Sequence, residues 1–300
     1  MNRISRLGLA FCAVLVSVSV ATCSKASPPP SCPSRGSTNL AGANLNDPLE
    51  IVTRSLESAG TATCVHVDAT VNGSINMQAL QGVPVSSLPG GSSGTMTIQN
   101  LTASADLDLD AQAAKASVSA PSLFGLSADA IVVGGALYYR SSLSGTKWTK
   151  TTPGSLLGSA LPLGSDFPLP SALPLGSAGP SASIDIATEI QGLKTALTQL
   201  GATATLKGTE KVAGSDAYHV NIDIPLATVN MLISASGQNG VTLSKLTIDY
   251  WAYKGDLRPA KLAVSVASDG IGNVDVSVVF SKYNQRPSIK APPANQVTQS

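Results

Sequence analysis

Apolar side chains recur at every second position through segment after segment of this 300-residue chain, and a stretch patterned at period two buries one face only as a β-strand. In Thr63–Val71 (TCVHVDATV), Val65, Val67, Ala69 and Val71 share one face, and Cys64, His66, Asp68 and Thr70 share the other. Asn72-Gly73 then reads as a turn. The next strand, Thr95–Asp110, changes phase. Met96 and Ile98 are out of step with Leu101, Ala103, Ala105, Leu107 and Leu109, and the slip near Asn100 predicts a β-bulge that bends the sheet. Further strands are expected at Lys115–Ala120, Ala130–Arg140, Trp148–Thr151, Ala202–Lys207, Ala217–Ile224, Val241–Tyr253, Ala260–Ala267 and Val274–Tyr283. Lys254-Gly255-Asp256 and Ser268-Asp269-Gly270, with Gly272-Asn273, separate the last of these, so the pattern is an antiparallel meander with one apolar and one wet face.

Three amphipathic helices are the candidates to cover the apolar face. Asp47 caps the first, Pro48 suits its first turn, Glu50 stands at the capping-box position, and Leu49, Val52 and Leu56 form its stripe. The second spans Ile184–Leu200, capped by Ser183 and stopped by Gly201, with Ile186, Ile190, Leu193 and Leu197 aligned. The third begins at Pro225 and carries Leu226, Val229, Leu232 and Ile233. Two stretches fit no element. Residues 81–94 form a turn-rich loop, and residues 155–183 contain Ser-Ala-Leu-Pro-Leu-Gly-Ser at 159–165 and again at 171–177. Proline bars regular helix in the repeat, and its leucines leave three readings open: folding over an apolar surface, insertion into lipid, or disorder.

The first residues assign a compartment. Arg3 and Arg6 precede the apolar run Leu7–Val20, and small residues follow, the order of a secretory signal peptide. The run is shorter than the roughly 18 residues of a permanent span. Residues 1–22 are therefore expected to leave, and Val20-Ala21-Thr22-Cys23 approximates the pattern that directs lipid to a cysteine. Thr22 stands where Gly, Ala or Ser is usual, so lipidation of Cys23 and plain cleavage after Ala21 or Ala26 are both open. Residues 23–46, rich in Pro, Ser, Gly and Asn, read as a flexible tether. Residues 47–300 then form one domain, with 155–183 as an insertion.

Of the four cysteines, Cys12 leaves with the signal, and acylation, where it occurs, would take Cys23. Cys32 and Cys64 remain, as a disulfide in an oxidising compartment or as two thiols. Metal ligation is disfavoured, because Cys64 and His66 have no second pair at ligand spacing. A net charge of +1 lacks the basic excess that nucleic acid requires. With 12% charged and 4% aromatic residues, the core is built from small side chains that fill space poorly.

No catalytic residue is assigned and no cofactor is expected. Gly90-Gly91-Ser92-Ser93-Gly94 fits the G-x-S-x-G pattern but has no strand leading in and no helix leading out. His66 and His219 fall on polar strand faces, where a solvated histidine is the ordinary outcome, and Asp106, Asp108 and Asp110 read as a solubilising row.

The order of these features resembles a known family. A capped helix and a long strand pair precede Ala136-Leu137-Tyr138-Tyr139 and Lys147-Trp148; then come a helix and Gly208-Thr209-Glu210-Lys211-Val212-Ala213-Gly214 before Tyr218-His219-Val220. Trp251, Arg258-Pro259-Ala260-Lys261-Leu262 and Ile289-Lys290-Ala291-Pro292-Pro293 complete the pattern, which from Asp47 to Val297 resembles the LppX/LprA/LprF/LprG lipoproteins of actinobacteria. The resemblance implies an α+β, LolA-like fold: a curved antiparallel half-barrel whose concave face is overlaid by helices. It also implies a monomeric carrier of lipid or lipid-linked glycan, anchored by lipid at the outer face of the cell membrane or in a periplasm-like space, with an envelope transporter as partner. Val65, Val67, Ala69, Val71, Leu101, Ala103, Leu107, Leu109, Ile222, Ile224, Leu246, Ile248 and Tyr250 are then the expected cavity lining. The alternative is a tethered interaction or sensory module of the same fold with no lipid.

Overall fold

The computed structural model describes residues 32–33, 43–76, 94–123, 125–152, 195, 197–235 and 241–299. Among them, helix α1 (Pro48–Ala59) starts where Asp47 Oδ1 accepts from the backbone N–H groups of Leu49 at 3.0 Å and Glu50 at 3.5 Å. Glu50 does not complete a capping box. Its carboxylate pairs instead with Arg54 one turn on, at 2.8 Å. Of the expected second helix, Thr195 and 197–199 are helical and Leu200 is in a turn, and the rest lies outside the described residues, as do 1–31, 77–93 and the repeat insertion. The third is helix α2 (Leu226–Ala235).

Twelve strands are described: β1 (Cys64–Asn76), β2 (Thr95–Asp108), β3 (Ala113–Ala120), β4 (Leu126–Val133), β5 (Ala136–Ser141), β6 (Trp148–Thr151), β7 (Thr203–Val212), β8 (Ser215–Asp223), β9 (Leu243–Tyr253), β10 (Pro259–Ser268), β11 (Gly272–Ser281) and β12 (Val297–Gln299). They form one sheet in the order β12-β6-β5-β4-β3-β2-β1-β11-β10-β9-β8-β7. Neighbours are antiparallel except β12 and β6, and β7 and β12 stand at opposite edges, so the sheet is the unclosed half-barrel of an α+β fold.

Three strand expectations are corrected. Asn72-Gly73 is not a turn, because β1 runs through it to Asn76. Gly73 is needed for close approach: a Cβ there would collide with the Asn273 carbonyl, and one on Gly272 with that of Ser74. The expected strand Ala130–Arg140 is a hairpin, β4 and β5, turning at Gly134-Gly135 with φ of 59° and 72°, the conformation that a two-residue turn between twisted strands requires. Leu109 is in a turn beyond β2, its N–H bonded to the Thr63 carbonyl, so it lines no strand face.

The bulge lies where the phase slip places it. Gln99 and Asn100 together oppose Asn72, Asn100 takes φ of 53°, and its N–H donates to Asn72 Oδ1 at 2.8 Å. That extra residue returns Met96 and Ile98 to the face of Leu101. The apolar face is consequently continuous. Val67 stands beside Ala105, which leads through Ala116 and Ala130 to Tyr139; in the other direction Ala69 stands beside Val278, which leads through Leu262, Tyr250 and Val220 to Leu206.

The strands define two ends. At the lower end β1 begins, Asn284 donates to the Cys64 carbonyl and Lys254 to that of Asp216. At the upper end Asn76 donates to Ile271 and Asp269 to Thr242, close to α2, whose Asn230 side chain clasps both backbone groups of Leu243.

Candidate functional site

The apolar face has two unlike halves. Over β7–β10 it is filled: Ile51 and Val52 of α1 pack with Val220, Ile222, Tyr250, Ala252 and Leu257, and Leu56, Leu206, Ile224, Ile248 and Leu262 close the margins. The buried face of α1 is Ile51, Val52, Thr53, Ser55 and Ser58, so of the expected stripe Val52 enters the core, Leu56 packs at its margin and Leu49 does not take part. Polar groups lock the helix down. Ser55 Oγ and Tyr250 Oη lie 2.7 Å apart, and Ser58 Oγ donates to the Asp256 carbonyl at 2.7 Å. Burial pushes the Tyr250 phenol well above its ordinary range, with the Ser55 hydrogen bond opposing in part. Of the expected lining, Ile222 and Tyr250 are buried in this core, and Ile248, with Ile224 just beyond β8, packs at its margin.

Over β1–β6 Ile98, Ala120 and Leu137 of the same face are buried, and most of the other residues are not. Val65, Val67, Ala69, Val71, Leu101, Ala103 and Leu107 are each half-buried, and Val118 is 40% exposed. At every register position of this face, from β1 through Ala105, Ala116 and Ala130 to Thr149 on β6, the residue is uncharged. Leu246, also half-buried, stands on β9 near the upper end.

The opposite face carries the charge. His66 Nδ1 lies 2.6 Å from Asp106 and its Nε2 3.1 Å from Asp68; His219 Nδ1 lies 2.9 Å from Glu210 and its Nε2 2.9 Å from Asp249. Both histidines are partly buried and paired instead of simply solvated, because Asp106, Glu210 and Asp249 come from neighbouring strands and Asp68 from two positions along β1. His219 also stacks on Trp251 with ring centroids 4.3 Å apart, and the Trp251 indole donates to Glu210 at 3.1 Å. That indole bond, and then His219, hold the Glu210 carboxyl below the usual carboxylate range. Both nitrogens of each ring face a carboxylate, so neither is turned toward a serine, although His66 and Ser288 share a cavity of about 220 Å3 with Asp106 and Arg286.

The acidic row is also corrected. Asp108 is buried and meets Arg286 Nε at 3.2 Å, Asp106 is held by His66, and Asp110 alone is exposed in a turn. Cys32 and Cys64 lie beside Asp108, but the sulfurs are bonded to each other, with Cα atoms 5.9 Å apart, and so are not metal ligands. Cys23 and the Gly90–Ser93 part of the nucleophile-like motif lie outside the described residues. Among the described residues no helix is long and apolar enough to cross a membrane.

No protein-family model and no curated protein matches the chain. Solved structures do. The lipoprotein LppX from Mycobacterium tuberculosis aligns at 17% identity over 81% of this chain and 97% of that one, with a TM-score of 0.41. LprF from Mycobacterium bovis aligns at 17% identity over 82% and 97%, with a TM-score of 0.43. A LolA superfamily protein from Nitrosomonas europaea aligns at 10% identity over 82% and 95%, with a TM-score of 0.22. The first two bear names from the group that the residue order resembles.

Proposed function

We propose that this chain is a cell-envelope lipoprotein that shields the hydrocarbon part of a lipid or lipid-linked glycan against the β1–β6 half of its sheet and carries it through the envelope. The observation that supports the reading is the uncharged, half-exposed face itself. Val65, Val67, Ala69, Val71, Leu101, Ala103 and Leu107 offer it, with Leu246 at the upper end. An acyl chain laid there removes apolar surface on both partners from water, at about 0.8 kcal/mol per buried methylene. Alanines along β2–β4 leave depth that larger side chains occupy in the other half. Cys23 is the proposed site of the lipid anchor, and an envelope transporter is the proposed recipient of the cargo.

Native mass spectrometry of protein extracted from membranes tests the reading. Bound lipid is expected, and Val67→Trp or Leu107→Trp reduces it. Repeated recovery of lipid-free protein would leave a tethered interaction or sensory module instead. Cys23→Ala is expected to move the protein from the membrane to the soluble fraction, and an unchanged distribution would remove Cys23 as the attachment point.

A further inference from the structure

We infer that the Cys32–Cys64 disulfide decides which end of the sheet faces the bilayer; the inference rests on the proposed anchor at Cys23. Cys64 opens β1 at the lower end and is fully buried, Cys32 is 4% exposed, and Thr63 Oγ1 donates to the Pro33 carbonyl. The disulfide thus makes Cys32 the first point at which the chain is fixed to the folded domain. Cys32 stands nine positions after Cys23, and a chain of that length spans about 30 Å at most. Strand β1 runs from Cys64 to Asn76, and its 13 residues make twelve steps, which puts its upper end about 40 Å from Cys64.

These two lengths exclude an inverted domain. With the upper end on the membrane and the strands upright, the tether would have to span more than its full extension, so that end touches only when the strand axis lies more than about 40° from the membrane normal. Without the disulfide the next fixed point is Asn44–Leu45, where Asn44 accepts from Asp47 and Leu45 packs on the α1 core. Twenty-one residues then follow Cys23, a reach of about 70 Å that permits every orientation. In the bonded form the lower end stays near the anchoring bilayer, and α2, with Met231 67% and Leu232 51% exposed, is held away from it.

The test uses the acylated full-length protein in vesicles with a quenching lipid, and a fluorescent amino acid at either Gly255, in the lower β9–β10 turn, or Asp269, in the upper β10–β11 turn. Quenching several-fold stronger at Gly255 than at Asp269 is expected. The difference should collapse in Cys32→Ser/Cys64→Ser. It should also collapse when twelve Gly/Ser residues are inserted after Ser27, a change that leaves the disulfide and the fold in place. Equal quenching at both positions in the unmodified protein, or an asymmetry that survives the insertion, overturns the inference while the protein stays on the vesicles. Protein recovered free of vesicles overturns the anchor, and the inference with it.

Discussion

The two halves of the sheet share a face, a pleat and a run of hydrogen bonds, yet they do different things with them. On β7–β10 the inward positions hold Leu206, Val220, Ile222, Ile248, Tyr250 and Leu262, and α1 presses Ile51 and Val52 among them. On β1–β6 the equivalent rows hold Ala103, Ala105, Ala114, Ala116, Ala128 and Ala130 between valines, and they remain half-exposed or exposed. The lesson is one of division of labour. Large side chains under a helix stabilise the fold, and small side chains on the same sheet leave the surface that the proposed function assigns to a lipid.

The contrast breaks most readily at α1. Ile51→Ala removes a fully buried side chain from the filled half and should lower the unfolding free energy by about 2–5 kcal/mol. Denaturant titration checks this, and a loss no larger than that of Val67→Ala would mean that the halves are packed alike.

A smaller effect is expected at the seam between the halves, where β1 meets β11. Gly73→Ala places a methyl group against the Asn273 carbonyl, and relief by strand displacement should lower stability by about 1–3 kcal/mol. Thermal unfolding measures it. An unshifted midpoint would show that the strands part there without penalty.

Tyr250→Phe leaves the buried Ser55 hydroxyl without its phenol partner, for a loss of about 1–2 kcal/mol at neutral pH. The pH dependence carries a sign. Burial raises the phenols of Tyr250, Tyr253 and Tyr283 above the ordinary value of 10.0, so the unfolded chain gives up these protons first. Their contribution is complete below pH 10 and is lost as pH climbs through the folded values. Stability curves should therefore fall in alkali, and Tyr250→Phe should shallow that fall. A slope unaltered by the substitution would place the alkaline sensitivity elsewhere.

The smallest effect on stability belongs to the open half. Ala103→Phe adds bulk to a half-exposed position and should change stability by less than about 1 kcal/mol, while reducing any co-purified lipid. If the same substitution costs as much as Ile51→Ala, the β1–β6 face is already filled.

Much of this molecule is legible in one dimension. Period two places Val65, Val67, Ala69 and Val71 together, the slip at Asn100 marks the bulge, and Asp47-Pro48 marks the start of α1. What escapes is whatever depends on a partner strand. Asn72-Gly73 reads as a turn because its local chemistry is that of a turn, and only the backbone of Asn273 passing alongside explains the glycine. Gly134-Gly135 is a turn signal inside a run, 130–139, whose other positions are all apolar, so no alternation exists there for the switch of face between Val132 and Leu137 to interrupt. His66 and His219 look solvated until Asp106, Asp249, Glu210 and Trp251 arrive from neighbouring strands.

The amino-acid order alone determined that one side of every strand would be apolar, since alternation is a local property of the pleated backbone. Which of those apolar side chains would be sealed beneath α1 and which would stay open was settled only in three dimensions. Strand order and the landing place of the helix arise from contacts between residues as distant in sequence as Ser55 and Tyr250, and no local period encodes them.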